Sequence, residues 1–289
     1  MPEGDTIFRA ARTLHRALAG HTVIRFESVF PALTRVHEDR PLTGQTIEKV
    51  TAAGKHLLMR FSSGIVLRTH MRMNGSWHIY RRGERWQRPL RDMRIVVATD
   101  GFEAVGFNVP EAEFLDDHGV ARHEDLRKMG PDLLAERFDE EEAVRRFRER
   151  GDLEIADALL NQRVVAGAGN VYKSEVLFLC RVDPFARVAT VSDEALREMV
   201  RTARKYMRAN VVDARGGIVT YTGYRRTTRR ADPGERLYVY GRARQPCRTC
   251  GTRIRVKAQG PNARLTYWCP RCQKSEDGKQ DRQGPDAEG

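Results

Sequence analysis

The sequence predicts an α+β fold in three successive parts, and three observations support this. A helical period at the start gives way to a series of short strand-like runs. From about residue 131 the pattern turns helical. Near the C-terminus four cysteines stand as two C-x2-C pairs. A chain of 289 residues suffices for two domains and a sizeable core.

Each element follows from its local pattern. Residues 3–19 place Ile7, Ala10, Ala11, Leu14 and Leu18 at helical spacing, and Gly20 ends the run. His21–Val29, Gln45–Ala52, His56–Phe61, Ile65–His70, Ser76–Tyr80, Met93–Ala98 and Glu103–Phe107 read as strands. Ser62-Ser63-Gly64 and Asp100-Gly101 punctuate them as turns. Short strands at this spacing suggest a sandwich or barrel. Helices are expected over Asp139–Arg150, Leu153–Gln162, Asn170–Cys180 and Asp193–Val211, the last capped by Ser192. Residues 212–245 look irregular and very basic, with Tyr221-Thr222-Gly223-Tyr224-Arg225-Arg226 among them. The polar tail from Ser275 is expected to be disordered.

Composition narrows the partner. The net charge is +12 with 51 Lys+Arg, an excess that favours a polyanion. No apolar run is long enough to span a bilayer, the N-terminus lacks a signal-peptide core, and no amphipathic basic anchor stands out. Nucleic acid is therefore favoured over a membrane. Cysteine usage fits an intracellular, cytoplasmic protein, since only Cys180 lies outside the cluster.

The chain opens Met1-Pro2-Glu3-Gly4-Asp5-Thr6. With Met1 removed, the Pro2 nitrogen is a free secondary amine, and an α-amino group with a pKa of about 7.7–8.0 is partly unprotonated near neutral pH. Such an amine can attack C1′ of a deoxyribose, expel the base and form an iminium. Glu3 beside it is suited to proton transfer. The same residues also make an ordinary helix start.

Cys247, Cys250, Cys269 and Cys272 form C-x2-C-x18-C-x2-C, a spacing that reads as a zinc site. Four thiolates fill a tetrahedral Zn2+, so one structural zinc is expected, with no open position for water. The intervening residues should form a β-hairpin with Gly260-Pro261-Asn262 near its tip. Its Arg253, Arg255, Lys257 and Arg264 suit a phosphate backbone or form a solvated surface.

Asn161–Asn170 joins two helices through a glycine-containing turn, and the second helix includes Lys173 and Glu175. Its first amides are free to bind an anion such as phosphate. The alternative is a tight helical connection with Asn170 as N-cap.

These motifs, in this order, resemble the formamidopyrimidine-DNA glycosylase / endonuclease VIII family of base-excision repair enzymes. The resemblance runs from Met1 to about Gln273 through four segments: the MPEGDT start, Gly54-Lys55-His56, AGAGNVYKSE at 166–175, and the four-cysteine ribbon ending YWCPRCQ. It implies an N-terminal helix plus β-sandwich over 1–130, a helix–two-turn–helix domain over 131–245 and a zinc finger over 246–273. Residues 274–289 form the tail. Damaged DNA would bind in the cleft between the lobes, to a monomer. Pro2 resembles the nucleophile, Glu3 the acid, and Lys55 the strand-end lysine that helps elimination. His70 matches a phosphate contact, and Met73 the residue that fills the gap left by a flipped base. Asn170, with Lys173 near it, matches the backbone-binding hairpin. Arg264 matches the finger arginine that grips phosphates near the lesion, and it stands with the catalytic set as well as the DNA-binding set.

Two departures shape the expectation. The family's start often reads Pro-Glu-x-Pro-Glu, but Asp5-Thr6 stand where the second Pro-Glu would be, so no role is carried over from that acid. The Gly101–Pro110 stretch lacks the adjacent Arg-Phe of the formamidopyrimidine branch. That favours the endonuclease VIII-like branch, which acts on oxidised pyrimidines and abasic sites.

Overall fold

The computed structural model describes residues 2–212, 225–228 and 235–274. Met1, the tail from Ser275 and much of the basic stretch expected to be irregular lie outside the described residues. The first part starts with helix α1 (Gly4–Leu18) and continues through β1 (Arg25–Ser28), α2 (Pro31–Asp39), β2 (Ile47–Ala53), β3 (His56–Phe61) and β4 (Val66–His70). β5 (Ser76–Arg81), β6 (Met93–Ala98), β7 (Phe102–Phe107) and β8 (Glu111–Leu115) complete it. The strands form two antiparallel sheets, β1-β6-β7-β5 and β2-β3-β4-β8. Ile7, Ala11, Leu14 and Leu18 on one face of α1 share a core with Leu57, Met59 and Leu67 of one sheet and Ile79, Ile95 and Val97 of the other.

Three α-helices and one strand went unread in the sequence. Helix α2 buries only Leu33, too little apolar signal to show a period. Strand β8 is polar and half-buried, but it pairs with β4 in a register that sets Glu113 opposite the buried Arg68. Arg68 donates to Glu113 at 2.6 Å, which satisfies a charge that would otherwise be costly inside a sheet. The short helices α3 (Asp117–Arg122) and α4 (Glu124–Arg127) lead to the second part.

That part contains α5 (Glu140–Arg148), α6 (Ile155–Leu160), α7 (Asn170–Leu179) and α8 (Asp193–Val212). Asp139 caps α5 by accepting from the Glu142 amide, and Ser192 Oγ accepts from the Ala195 amide at the start of α8. Phe147, Leu159, Tyr172, Leu177, Leu196, Met199 and Met207 lie in their common core. The hairpin β9 (Arg255–Gln259) and β10 (Arg264–Trp268) closes the fold, packed with Phe178 and Val239 around the cysteines. Among the described residues no helix is long and apolar enough to cross a membrane.

Candidate functional site

The start of the chain docks onto the start of α7. The Gly4 amide donates to the Gly167 carbonyl at 2.9 Å. A Cβ on Gly4 would come within 2.8 Å of Gly167 Cα, so the close backbone crossing requires glycine at position 4, while Gly167 has φ +99. Glu3 is fully buried, and its Oε1 accepts from the Val171 amide at 2.8 Å. Its Oε2 accepts from the Tyr172 amide at 3.3 Å. The free amides of α7 do bind an anion, but the anion is the chain's own Glu3 rather than a phosphate. The helix N-terminus favours that negative charge. Gly169, not Asn170, is the N-cap of α7.

Lys55 stands with Gly54 in the turn between β2 and β3. Gly54 has φ +56, its amide donates to Asp132 Oδ2 at 2.7 Å, and a Cβ there would meet Met129 Sδ at 2.7 Å. The turn is thus pinned to the second part of the chain. Burial pushes the Lys55 ammonium down to about 8, while Glu3 opposes the shift and Arg225 and Arg264 add to it. Four groups far apart in sequence therefore share one electrostatic neighbourhood beside Pro2, which is itself buried.

The neighbouring cleft has a volume of about 230 Å³ and is lined by Lys55, His56, His70, Arg72, Gln162 and Arg163 among others. His70 is half-buried, and its Nδ1 accepts from the Arg72 amide at 3.2 Å. Burial lowers His70 to about 4, so it meets a ligand as a neutral imidazole near pH 7. Burial and Arg68 drive His56 further, to about 2. Met73, on the tight turn between β4 and β5, is 49% exposed. Arg264 Nη1 lies 3.6 Å from Met73 Sδ, so the finger and the β4–β5 turn face each other across the cleft.

Two predicted contacts take other partners. Asn170 Nδ2 donates to the Leu265 carbonyl at 2.8 Å, which ties α7 to the finger. Lys173 corrects the expectation of a DNA contact: it is 0% exposed, and its ammonium donates to Thr266 Oγ1 at 2.7 Å and the Leu265 carbonyl at 3.3 Å. Burial lowers it to about 8. Its chemistry is that of a buried brace between α7 and β10. Glu175 is equally buried and gathers the Tyr238, Val239 and Tyr240 amides at 2.8, 2.8 and 2.9 Å. It holds the chain that leads into the finger.

The four cysteine sulfurs lie within 4.8 Å of one another. Cys247 Sγ and Cys272 Sγ are 3.9 Å apart, and Cys250 Sγ and Cys269 Sγ 3.4 Å. A tetrahedral zinc at about 2.3 Å from each sulfur needs separations of about 3.8 Å, so the donor set fits. The Thr249 amide points at Cys247 Sγ at 3.4 Å, as a thiolate would require. Cys180 lies apart, and burial raises its thiol to about 11.

Comparison with known proteins agrees with this arrangement. Residues 1–131 match the formamidopyrimidine-DNA glycosylase N-terminal domain, and 129–222 match the formamidopyrimidine-DNA glycosylase H2TH domain. Residues 244–274 match the zinc finger found in FPG and IleRS. A probable endonuclease 8 2 of Streptomyces coelicolor is 40% identical over 276 residues, covering 94% of each chain. The chain belongs to the formamidopyrimidine-DNA glycosylase / endonuclease VIII family. A relative in Mycolicibacterium smegmatis, 37% identical over 94% of this chain and 99% of its own, is named DNA-(apurinic or apyrimidinic site) lyase Nei2. Among solved structures, Lactococcus lactis Fpg complexed with DNA containing an oxidised pyrimidine shares the fold. Its TM-score is 0.79 at 23% identity, over 95% of this chain and 100% of that one.

Sequence reasoning missed Arg225, which reaches Asp5 and Thr6 beside Pro2 and Glu3. It sits in a run of basic residues, and no periodicity or spacing separates it from its neighbours. Gly169 was legible only as a turn residue.

Proposed function

We propose that this protein is a bifunctional DNA glycosylase and abasic-site lyase of base-excision repair. It removes oxidised bases, pyrimidines in particular, and nicks the strand by β,δ-elimination. The observation that supports this most directly is the burial of Glu3 on the amides of α7, in one electrostatic neighbourhood with Lys55 and Arg264. A protein that only binds DNA has no need to bury an acid beside its first residues.

The target base must first leave the stack, at a cost of a few kcal/mol that is least for damaged or mispaired bases. Met73, exposed on its turn, fills the gap. The unprotonated Pro2 nitrogen bonds to C1′ as the bond from C1′ to the base breaks, and the base leaves with the electron pair and takes a proton from water. Glu3, a carboxylate on the α7 amides, takes the proton that the attacking nitrogen sheds and delivers it to O4′ as the sugar ring opens, leaving an iminium between Pro2 and C1′. The iminium acidifies C2′–H, and loss of that proton expels the 3′ phosphate. A second elimination expels the 5′ phosphate, and water then frees Pro2. Lys55, with its lowered pKa, has a neutral fraction near pH 8 that can take up a proton in the elimination steps. His70 and Arg264 hold the backbone, and Asn170, bonded to the Leu265 carbonyl, steadies the hairpin that carries Arg264. Cys247, Cys250, Cys269 and Cys272 hold one structural zinc, which fixes the β9–β10 hairpin and thereby Arg264. The enzyme works as a monomer in the cytoplasm.

The name of the mycobacterial relative favours a second reading, a lyase that cuts abasic sites without excising bases. One experiment tests both. Duplexes with an oxidised pyrimidine, an oxidised purine or an abasic site are incubated with enzyme and borohydride. A trapped adduct at Pro2 is expected on the oxidised pyrimidine and the abasic duplex. Trapping on abasic DNA alone selects the second reading, and an adduct at Lys55 removes Pro2 as the nucleophile.

A further inference from the structure

The chain departs from the family's start at Asp5-Thr6, and these two residues bind a third. Arg225 is 7% exposed and Asp5 fully buried. Arg225 Nε donates to Asp5 Oδ1 at 3.0 Å and Oδ2 at 2.9 Å. Its Nη2 donates to Asp5 Oδ1 at 2.9 Å and Thr6 Oγ1 at 2.8 Å. The Tyr172 hydroxyl donates to Asp5 Oδ2 at 3.1 Å and accepts from Asn210 Nδ2 at 3.0 Å. Asn210 in turn holds the Arg226 backbone, accepting from its amide at 2.8 Å and donating to its carbonyl at 2.9 Å. The first turn of α1 is thereby bonded to α7, to α8 and to the chain before the finger.

Burying two opposite charges costs several kcal/mol per ion before their attraction is counted, so this network is an expensive way to fix a helix start. It lies where charge matters. Within three residues of the Pro2 nitrogen are two buried carboxylates, Glu3 and Asp5. Glu3 has the α7 amides, and Asp5 has Arg225. We propose that Arg225 is a positioning and charge-balancing residue for catalysis: paired with Asp5, it fixes the first turn of α1 and keeps an uncompensated carboxylate from facing the Pro2 amine. This rests on the reading of Pro2 as nucleophile.

Charged and titratable groups reach the chain start from several described elements, the Tyr240 hydroxyl beside Glu3 and Arg225 among them. Glu3 and Asp5 come from the start itself, Lys55 from the β2–β3 turn and Lys173 and the Tyr172 hydroxyl from α7. Arg225 comes from the segment before the finger, and Arg264 from β10. Removing only Arg225 leaves Asp5 unbalanced and stabilises the ammonium form of Pro2. Removing only the Asp5 charge takes away one of the two carboxylates, Glu3 and Asp5, that act on Arg225, and the positive charge gained disfavours that form. The two changes therefore move the amine in opposite directions, which a purely structural brace would not do.

The test is the pH profile of single-turnover cleavage of preformed abasic DNA, with borohydride trapping and thermal unfolding recorded alongside. Arg225→Met should move the acid limb up by about one pH unit and reduce trapping at pH 7 by about tenfold. Asp5→Asn, which keeps the shape of the side chain, should move the limb down. The double variant Asp5→Asn/Arg225→Met should return it close to the wild-type position. If both single variants keep the wild-type limb, or move it the same way, the charge-balancing role is wrong. Should Arg225→Met fail to fold, the direction of the Asp5→Asn shift still decides. Wild-type enzyme that traps no DNA through Pro2 would instead overturn the catalytic reading on which the inference stands.

Discussion

Gly169→Ala isolates the alignment of Glu3 from every other property of the site. Gly169 has φ −131 and ψ −161, a conformation that alanine adopts without strain. The added Cβ would nevertheless lie 2.5 Å from Glu3 Cγ and 2.6 Å from Oε1. Non-bonded carbons settle at about 3.5–4.0 Å, so the Glu3 side chain must retreat by about 1 Å. Its bond to the Val171 amide is 2.8 Å and that to the Tyr172 amide already 3.3 Å, so both are lost. Hydrogen bonds to a charged group are worth about 1.5–3 kcal/mol each, and a misplacement of about 1 Å costs on the order of 100-fold in rate. Single-turnover excision of an oxidised base should therefore fall about 100-fold, while affinity for the abasic duplex stays near wild type. Thermal unfolding must show a folded variant for the comparison to count. Full excision by folded Gly169→Ala would show that the carboxylate's seat on α7 is irrelevant to the chemistry.

Further outcomes follow from the same geometry. Metal analysis should find one zinc per chain, and Cys269→Ser should loosen the hairpin and weaken DNA binding; active enzyme without zinc would contradict this. Arg264→Ala should weaken binding on every sequence alike and reduce the slope of log affinity against log salt by about one unit. An unchanged slope would mean that the finger does not grip the backbone. Burial lowers His56 to about 2 and His70 and His78 to about 4, below the usual 6.5 or so. The unfolded chain takes up these protons first, so stability is full above about pH 6.5 and falls as the pH drops towards 4. The loss approaches roughly 4 kcal/mol per pH unit where only the unfolded chain is protonated. Identical unfolding temperatures at pH 7 and pH 5 would refute the buried neutral state of these imidazoles.

The sequence exposes residues whose type is rare in its setting and hides those whose meaning depends on a distant partner. A proline followed by an acid at a chain start, and four cysteines at fixed spacing, point to their chemistry without a structure. Strands β3 and β6 were legible to their end residues because buried apolar side chains fill them. Strand β8 was not, because its stability comes from pairing with β4 and from Glu113 facing Arg68. The amides of α7 were legible as an anion site, but their occupant lies 168 residues from Val171 in sequence, beyond any local pattern. Lys173 reads as a DNA contact beside Asn170, and only the packing of β10 against α7 shows where its ammonium goes.

That seat has a consequence for how the enzyme divides its charges. A helix N-terminus can satisfy one anion well, and α7 has already spent its first amides on Glu3. A phosphate cannot take the same place, so on the proposed reading DNA is gripped by groups left exposed or half-exposed at the cleft. Arg264 and His70 fit that description, and Lys173 does not. Glu3, the acid proposed to act on the sugar, is held by rigid backbone amides, whereas the proposed grip on the strand rests on side chains at the cleft. Gly4 and Gly169 let the chain start and the α7 start approach more closely than a Cβ would allow. The chain start and the 166–175 segment, far apart in sequence, are therefore one structure, and a substitution in either should be read by its effect on the other.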